Sequence, residues 1–237
     1  MSGLNRIANR TMSTFLQGYS LHHPAPGRQS FACWLAVTLA VGTMGCGFEL
    51  PALKPPAFDP STASQAAMDQ FDTNADGKLD KGELKSAPSL QFSLDRIDAD
   101  GDGAITQDEL STMIQEKWID AGAGIMLIGA QVTLNRKPLD GATITFEPEP
   151  FLGEVLHPAS GETDFDGFAS MSMAPEHMPH ENVRAGVSPG LYLVRISKIV
   201  NDKELVPAKY NTETTLGVEV AARASYMPGP VHFELRK

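Results

Sequence analysis

Cysteine is nearly absent from this chain. Its only two, Cys33 and Cys46, both stand near the N-terminus. No intrachain disulfide can form beyond Cys46, and a cysteine-rich zinc site is excluded by the same count. Positive charge is scarce too, with 19 Lys and Arg against 29 Asp and Glu, a net of −10. A nucleic-acid binder normally carries a basic surface, and electrostatic docking on anionic lipid needs one, so both classes are disfavoured. No P-loop, no dinucleotide-type glycine fingerprint and no His-Glu-x-x-His helix is present. An enzyme is not expected without some such constellation. What is there is apolar enough to fold: 42% of the 237 residues are hydrophobic, which favours a globular chain over a disordered one.

The charge is unevenly placed. Residues 1–45 hold no acid and three arginines, Arg6, Arg10 and Arg28. Residues 47–120 hold 15 acids against 6 bases, a net −9, so a cation is the partner to look for there. Arg28 precedes an apolar run from Phe31 to Val41 and then Gly42-Thr-Met-Gly-Cys46. A basic start, a short apolar stretch and small residues form a secretory leader. The run is short for a membrane span of about 20 residues. Thr43-Met-Gly-Cys46 resembles a bacterial lipobox, which implies cleavage before Cys46, its lipidation, and residence in the cell envelope facing the periplasm or exterior. An uncleaved anchor and an ordinary signal cut near Gly45 are the alternatives. Residues 1–45 are thus expected to be a signal peptide. Pro51, Pro55, Pro56 and Pro60 make 46–61 a Pro-rich, semi-rigid tether.

The next segment carries the sharpest pattern. Asp72, Asn74, Asp76, Lys78, Asp80 and Glu83 fall at positions 1, 3, 5, 7, 9 and 12 of a twelve-residue loop. Asp98, Asp100, Asp102, Ala104, Thr106 and Glu109 repeat it. A hard cation wants six to eight oxygens at about 2.3–2.6 Å. Alternate side chains supply the first three, and the seventh residue gives its carbonyl, so Lys78 and Ala104 are tolerated there. The ninth binds directly or through water, and the closing glutamate can bind with both oxygens. Gly77 and Gly103 permit the sharp turn. Residues 62–121 therefore resemble the paired EF-hand family, which implies two calcium ions. Thr62 and Gln65 read as a capping box opening the first helix. Leu90, Leu94 and Ile97, then Leu110, Ile114 and Trp118, recur at helical spacing. Leu79 and Ile105 hold matching eighth positions, where paired loops join in a short β-bridge. Only 14 residues separate Glu83 from Asp98, a compact spacing that resembles short bacterial pairs. Extracellular calcium modules bind at about 10⁻⁴–10⁻³ M, so a structural role is expected over sensing.

Beyond Gly122 and Gly124 the period changes from helical to alternating. Thr143–Phe146, Tyr192/Val194/Ile196, Val218/Val220 and Val231/Phe233/Leu235 read as strands, separated by turns at 138–141, 164–167, 188–190 and 228–230. The segments 135–146, 161–168 and 186–194 resemble the transthyretin-like or carboxypeptidase-regulatory-like domain of secreted bacterial proteins. That resemblance implies a non-catalytic, Ig-like antiparallel β-sandwich over 125–237. The sandwich has its own apolar positions and is expected to be independent of calcium.

The fold class expected is therefore α+β and multidomain: a small paired EF-hand helical unit followed by an antiparallel β-sandwich. Calcium is the expected cofactor, an envelope protein or glycan the expected partner, and the membrane is reached only through the lipid anchor. Two rivals remain. One is a dockerin-like adaptor ordered by calcium for a dedicated partner. The other is a copper-binding or enzymatic protein using Met171-Ser-Met173-Ala-Pro-Glu-His177-Met178-Pro-His180, since thioethers and imidazoles suit copper. His157 and His232 stand alone. Asp164-Phe-Asp-Gly167 reads as a strand-connecting turn rather than a cation site.

Overall fold

The change of period near Gly122 marks a change of architecture. The structure, a computed structural model, describes residues 53–222, 224 and 229–237. The expected signal peptide over 1–45, the lipidation at Cys46 and the first part of the tether lie outside the described residues.

Helix α1 (Pro60–Phe71) buries Ala63, Ala67, Met68 and Phe71, one face of a 3.6-residue period. Its N-cap is Asp59 and not Thr62: Asp59 Oδ1 accepts the Thr62 N–H at 2.7 Å. Pro60 takes the first helical position, where an N–H would go unbonded in any case. Gln65 instead donates to Asp69 at 2.8 Å. The first loop leads through strand β1 (Lys78–Leu79) into a single 3₁₀ turn, Leu84–Ser86. Pro88 then opens helix α2 (Pro88–Phe92). Helix α3 (Leu94–Ile97) enters the second loop, strand β2 (Ile105–Thr106) crosses it, and helix α4 (Gln107–Met113) leaves it. Thr106 and Glu109 form a reciprocal capping box at the start of α4. A π-helical stretch, Ile114–Ile119, continues α4. Leu90, Ile97, Leu110, Ile114 and Trp118 are all buried.

Strands β1 and β2 pair antiparallel, with Leu79 opposite Ile105 as the matching eighth positions predict. Both side chains are fully buried.

The remaining chain forms β3 (Ile128–Leu134), β4 (Lys137–Pro138), β5 (Thr143–Pro148), β6 (Ala159–Glu162), β7 (Phe168–Met173) and β8 (Gly190–Ser197). After a small hairpin of β9 (Ile199–Val200) and β10 (Lys203–Glu204) come β11 (Leu216–Val220) and β12 (Val231–Leu235). One curled sheet runs β11-β8-β5-β6-β7-β3-β12, with β4 also on β3. Its pairings are antiparallel except β3 with β12, which run parallel from Ala130↔Val231 to Leu134↔Leu235. This is the expected helical unit followed by a large, essentially antiparallel sheet.

The alternating runs at β5, β8, β11 and β12 were legible as strands. Strand β7 was not: Met171 and Met173, weighed above only as soft metal ligands, point into the core from a strand. Strand β3 was missed as well, because Gly129 and Ala130 weaken its alternation.

One apolar cluster runs through both regions. Helix α2 lies on β11 so closely that a Cβ on Gly217 would sit 2.2 Å from the Ser89 backbone nitrogen. Phe71 of α1 meets Phe151 edge-on at 6.1 Å. Phe58, from the Pro-rich stretch, packs on Trp118 with ring centroids 5.4 Å apart.

Candidate metal centre

Asp72 is the C-cap of α1, and its backbone N–H bonds to Met68 O, so the helix delivers the first ligand directly into loop 1. Backbone N–H groups then fold the loop around the carboxylates. Asp72 Oδ2 accepts from Gly77 N at 2.9 Å, Asn74 Oδ1 from Asp76 N at 2.9 Å, and Asp76 Oδ1 from Lys78 N at 2.9 Å. Asp80 Oδ1 accepts from Gly82 N at 2.6 Å. Glu83 reaches back across the loop: Oε1 accepts from Thr73 N at 2.8 Å and Asn74 N at 3.2 Å, and Oε2 from Asp80 N at 3.1 Å.

Loop 2 repeats the arrangement. Asp98 Oδ2 accepts from Gly103 N at 2.8 Å, Asp100 Oδ1 from Asp102 N at 3.1 Å, and Asp102 Oδ1 from Ala104 N at 2.9 Å. Glu109 accepts from Ala99 N through Oε1 and from Thr106 N through Oε2, each at 2.9 Å. Gly77 and Gly103 sit at φ +83° and +84°, where a β-carbon is strained. Ala75 and Gly101, two residues earlier, are left-handed as well. Sequence reasoning did not single out Ala75, because alanine gives no signal of left-handed backbone.

The N–H bonds have an electrostatic result. Bonds to Asp80 N, and then to Thr73 and Asn74, hold the Glu83 carboxyl below its ordinary range against a smaller opposing effect of burial. Partial burial pulls Glu109 upward, but the Thr106, Ala99 and Asp100 donors outweigh it and leave the carboxyl lowered. Both closing glutamates are therefore charged at neutral pH.

The donor set fits a hard cation. Every side chain offered is an oxygen donor, and a carboxylate oxygen that accepts one N–H keeps a second lone pair for an ion. Ligand atoms of Asp98, Asp100 and Asp102 lie within 4.8 Å of one another, a cluster that acids of like charge adopt at an electrostatic cost unless a cation joins them. All twelve predicted positions lie in these two loops, joined back to back through β1 and β2.

The other candidates disperse. Met171 and Met173 are 2% and 4% exposed and belong to the core. His157, expected to stand alone, stacks on His177 at 3.8 Å with rings 7° from parallel. Imidazole lone pairs lie in the ring plane, so two stacked rings do not converge on one ion. Asp164 Oδ1 accepts from Asp166 N and Phe168 N at 3.0 Å, which makes 164–167 the expected turn between β6 and β7. The letters G-x-S-x-G do occur at Gly186-Val-Ser-Pro-Gly190. They lead into β8 instead of joining a strand to a helix, and Ser188 Oγ faces Met173 Sδ at 3.6 Å, so this is not a nucleophile elbow.

Two buried acids went unread. Glu149 and Glu219 are each 1% exposed. Ser89 Oγ donates to Glu149 at 2.5 Å. Glu219, on β11, accepts from Trp118 Nε1 at 3.1 Å and pairs with Arg96 Nε at 3.1 Å. Arg96 precedes loop 2 and Trp118 follows it. One carboxylate of the sheet thus holds both arms of that loop.

Residues 65–86 and 93–114 match a family model described as EF hand. These two segments are similar to that family at both loops. No curated protein matches the chain.

Proposed function

We propose that this protein binds two calcium ions in its paired loops, is exported and lipid-anchored at Cys46, and works in the cell envelope without catalysing a reaction. The observation that carries the calcium reading is the pair of complete oxygen-donor loops joined at Leu79 and Ile105. Calcium supplies positive charge that draws the carboxylates of each loop together. The chain's own part is to present them: Asp72, Asn74, Asp76, Asp80 and Glu83 in one loop, Asp98, Asp100, Asp102, Thr106 and Glu109 in the other, with the carbonyls of Lys78 and Ala104. The metal's role is structural, a reading supported by the short helices and by the Glu219 tie, which leave little lever for an opening groove. The sheet serves as the interaction module for an envelope protein or glycan.

Calorimetry on the full-length protein tests the central claim. Two ions per chain are expected, and no uptake at millimolar calcium overturns it. Cys46→Ser tests the anchor: the protein should leave the membrane fraction. If the variant stays bound to the same extent, the apolar segment before Cys46 is itself the anchor.

A further inference from the structure

Lys78 belongs to two sites at once. It holds the seventh position of loop 1, where the ligand is its carbonyl, so its side chain is free of that role. The side chain crosses to the other loop and places Nζ 2.5 Å from Asp102 Oδ2, at the fifth ligand position of loop 2. The β1–β2 register makes this possible by setting Lys78 opposite Thr106. Asp100 and Glu109, two more ligands of loop 2, add their attraction to the same ammonium. A second lysine of loop 1 leans the same way. Lys81 Nζ lies 3.8 Å, and its Cε 3.5 Å, from the point where a β-carbon on Gly103 would stand.

We infer that Lys78, assisted by Lys81, is a tethered counter-cation that competes with calcium in loop 2 and makes it the weaker of the two sites. The inference rests on the calcium reading above. Asp102 Oδ1 already accepts from Ala104 N, and Oδ2 from Lys78. An ion entering loop 2 has two routes. It displaces the ammonium and loses an ion pair, or it binds beside a fixed positive charge and is repelled. Both routes weaken binding. Loop 2, residues 98–109, holds no lysine or arginine, so the effect is one-sided. Loop 1 then fills first, and loop 2 answers to higher calcium.

Gly77 and Gly103 provide separate reporters, because each donates its N–H to the first ligand of its own loop. Their amide resonances are followed through a calcium titration of the full-length protein. In the wild type, the Gly77 signal should move at lower calcium than Gly103. Lys78→Met should shift the Gly103 midpoint to about fivefold lower calcium, the size of an exposed ion pair, and shift Gly77 by distinctly less. Lys81→Met should act in the same direction with a smaller shift, and Lys78→Arg should keep the wild-type midpoint. An unchanged or raised Gly103 midpoint in Lys78→Met overturns the inference while the calcium assignment stands. If neither glycine signal responds in the wild type, the calcium assignment falls and this inference with it.

Discussion

Glu149 and Glu219 share a residue type, a burial and a direction of pKa shift, yet they differ in what faces them. Burial is the first cause in both, raising each carboxyl above its ordinary value of 4.5. The Ser89 hydroxyl opposes it weakly at Glu149, while the Arg96 guanidinium and then the Trp118 N–H oppose it at Glu219. A carboxyl raised in the folded state contributes stability that is fully present below the unfolded value and is lost as pH rises through the folded one. Glu149→Gln keeps an acceptor for Ser89 and removes the buried charge. With calcium saturating, the variant should match the wild type at low pH and become the more stable of the two as pH rises through the folded-state value, as read by denaturant unfolding between pH 4 and pH 8. Glu219→Gln should move in the same direction but by less, because the Arg96 guanidinium and the Trp118 N–H that it gives up favour the charged carboxylate. Neither acid was legible in the sequence. Glu219 stands between Val218 and Val220, where alternation marks it as solvent-facing. The helical unit that covers it is distant in the chain, and a period-two pattern holds no record of what lies on the polar face.

At the scale of elements, the two loops were legible from spacing, because an EF-hand loop is local: its oxygens come from twelve consecutive residues. The β1–β2 bridge followed for the same reason. Strands with branched side chains on one face were legible, whereas β7 was hidden by its serines and methionines. The junction between α2 and β11 was not legible, since Gly217 reads as a weakness in a strand. In the structure it is the position that lets a helix touch the sheet backbone. Gly217→Ala should therefore cost about 3 kcal/mol, because the neighbour it meets is backbone and cannot rotate away. Urea unfolding would measure this, and a cost below about 0.5 kcal/mol would show that α2 shifts freely over β11.

For the whole molecule, the shared core changes what calcium removal should do. The sandwich was expected to melt on its own. Instead the apolar cluster is continuous from Phe58 to Leu235, and the Glu219 tie crosses the junction. Chelation should lower one cooperative transition that reports on helix and sheet together. Calcium bound only to the folded form adds about 2.7 kcal/mol at a hundredfold excess over Kd. Circular dichroism at helix and sheet wavelengths, with and without chelator, checks this: coincident midpoints that both fall are expected. A sheet midpoint that stays in place would mean the junction transmits nothing.

The parallel pairing of β12 with β3 bears on how the chain is made. Strand β3 leaves the ribosome well before β12, and its antiparallel neighbour β7 follows soon after. Its other flank, from Ala130 to Leu134, finds no partner until Val231–Leu235 has been translated. During that interval an unpaired strand edge is open to neighbouring nascent chains. A pause in translation or a stop codon ahead of Val231 would prolong the exposure, so the last strand acts as the seal that ends a window of vulnerability to aggregation.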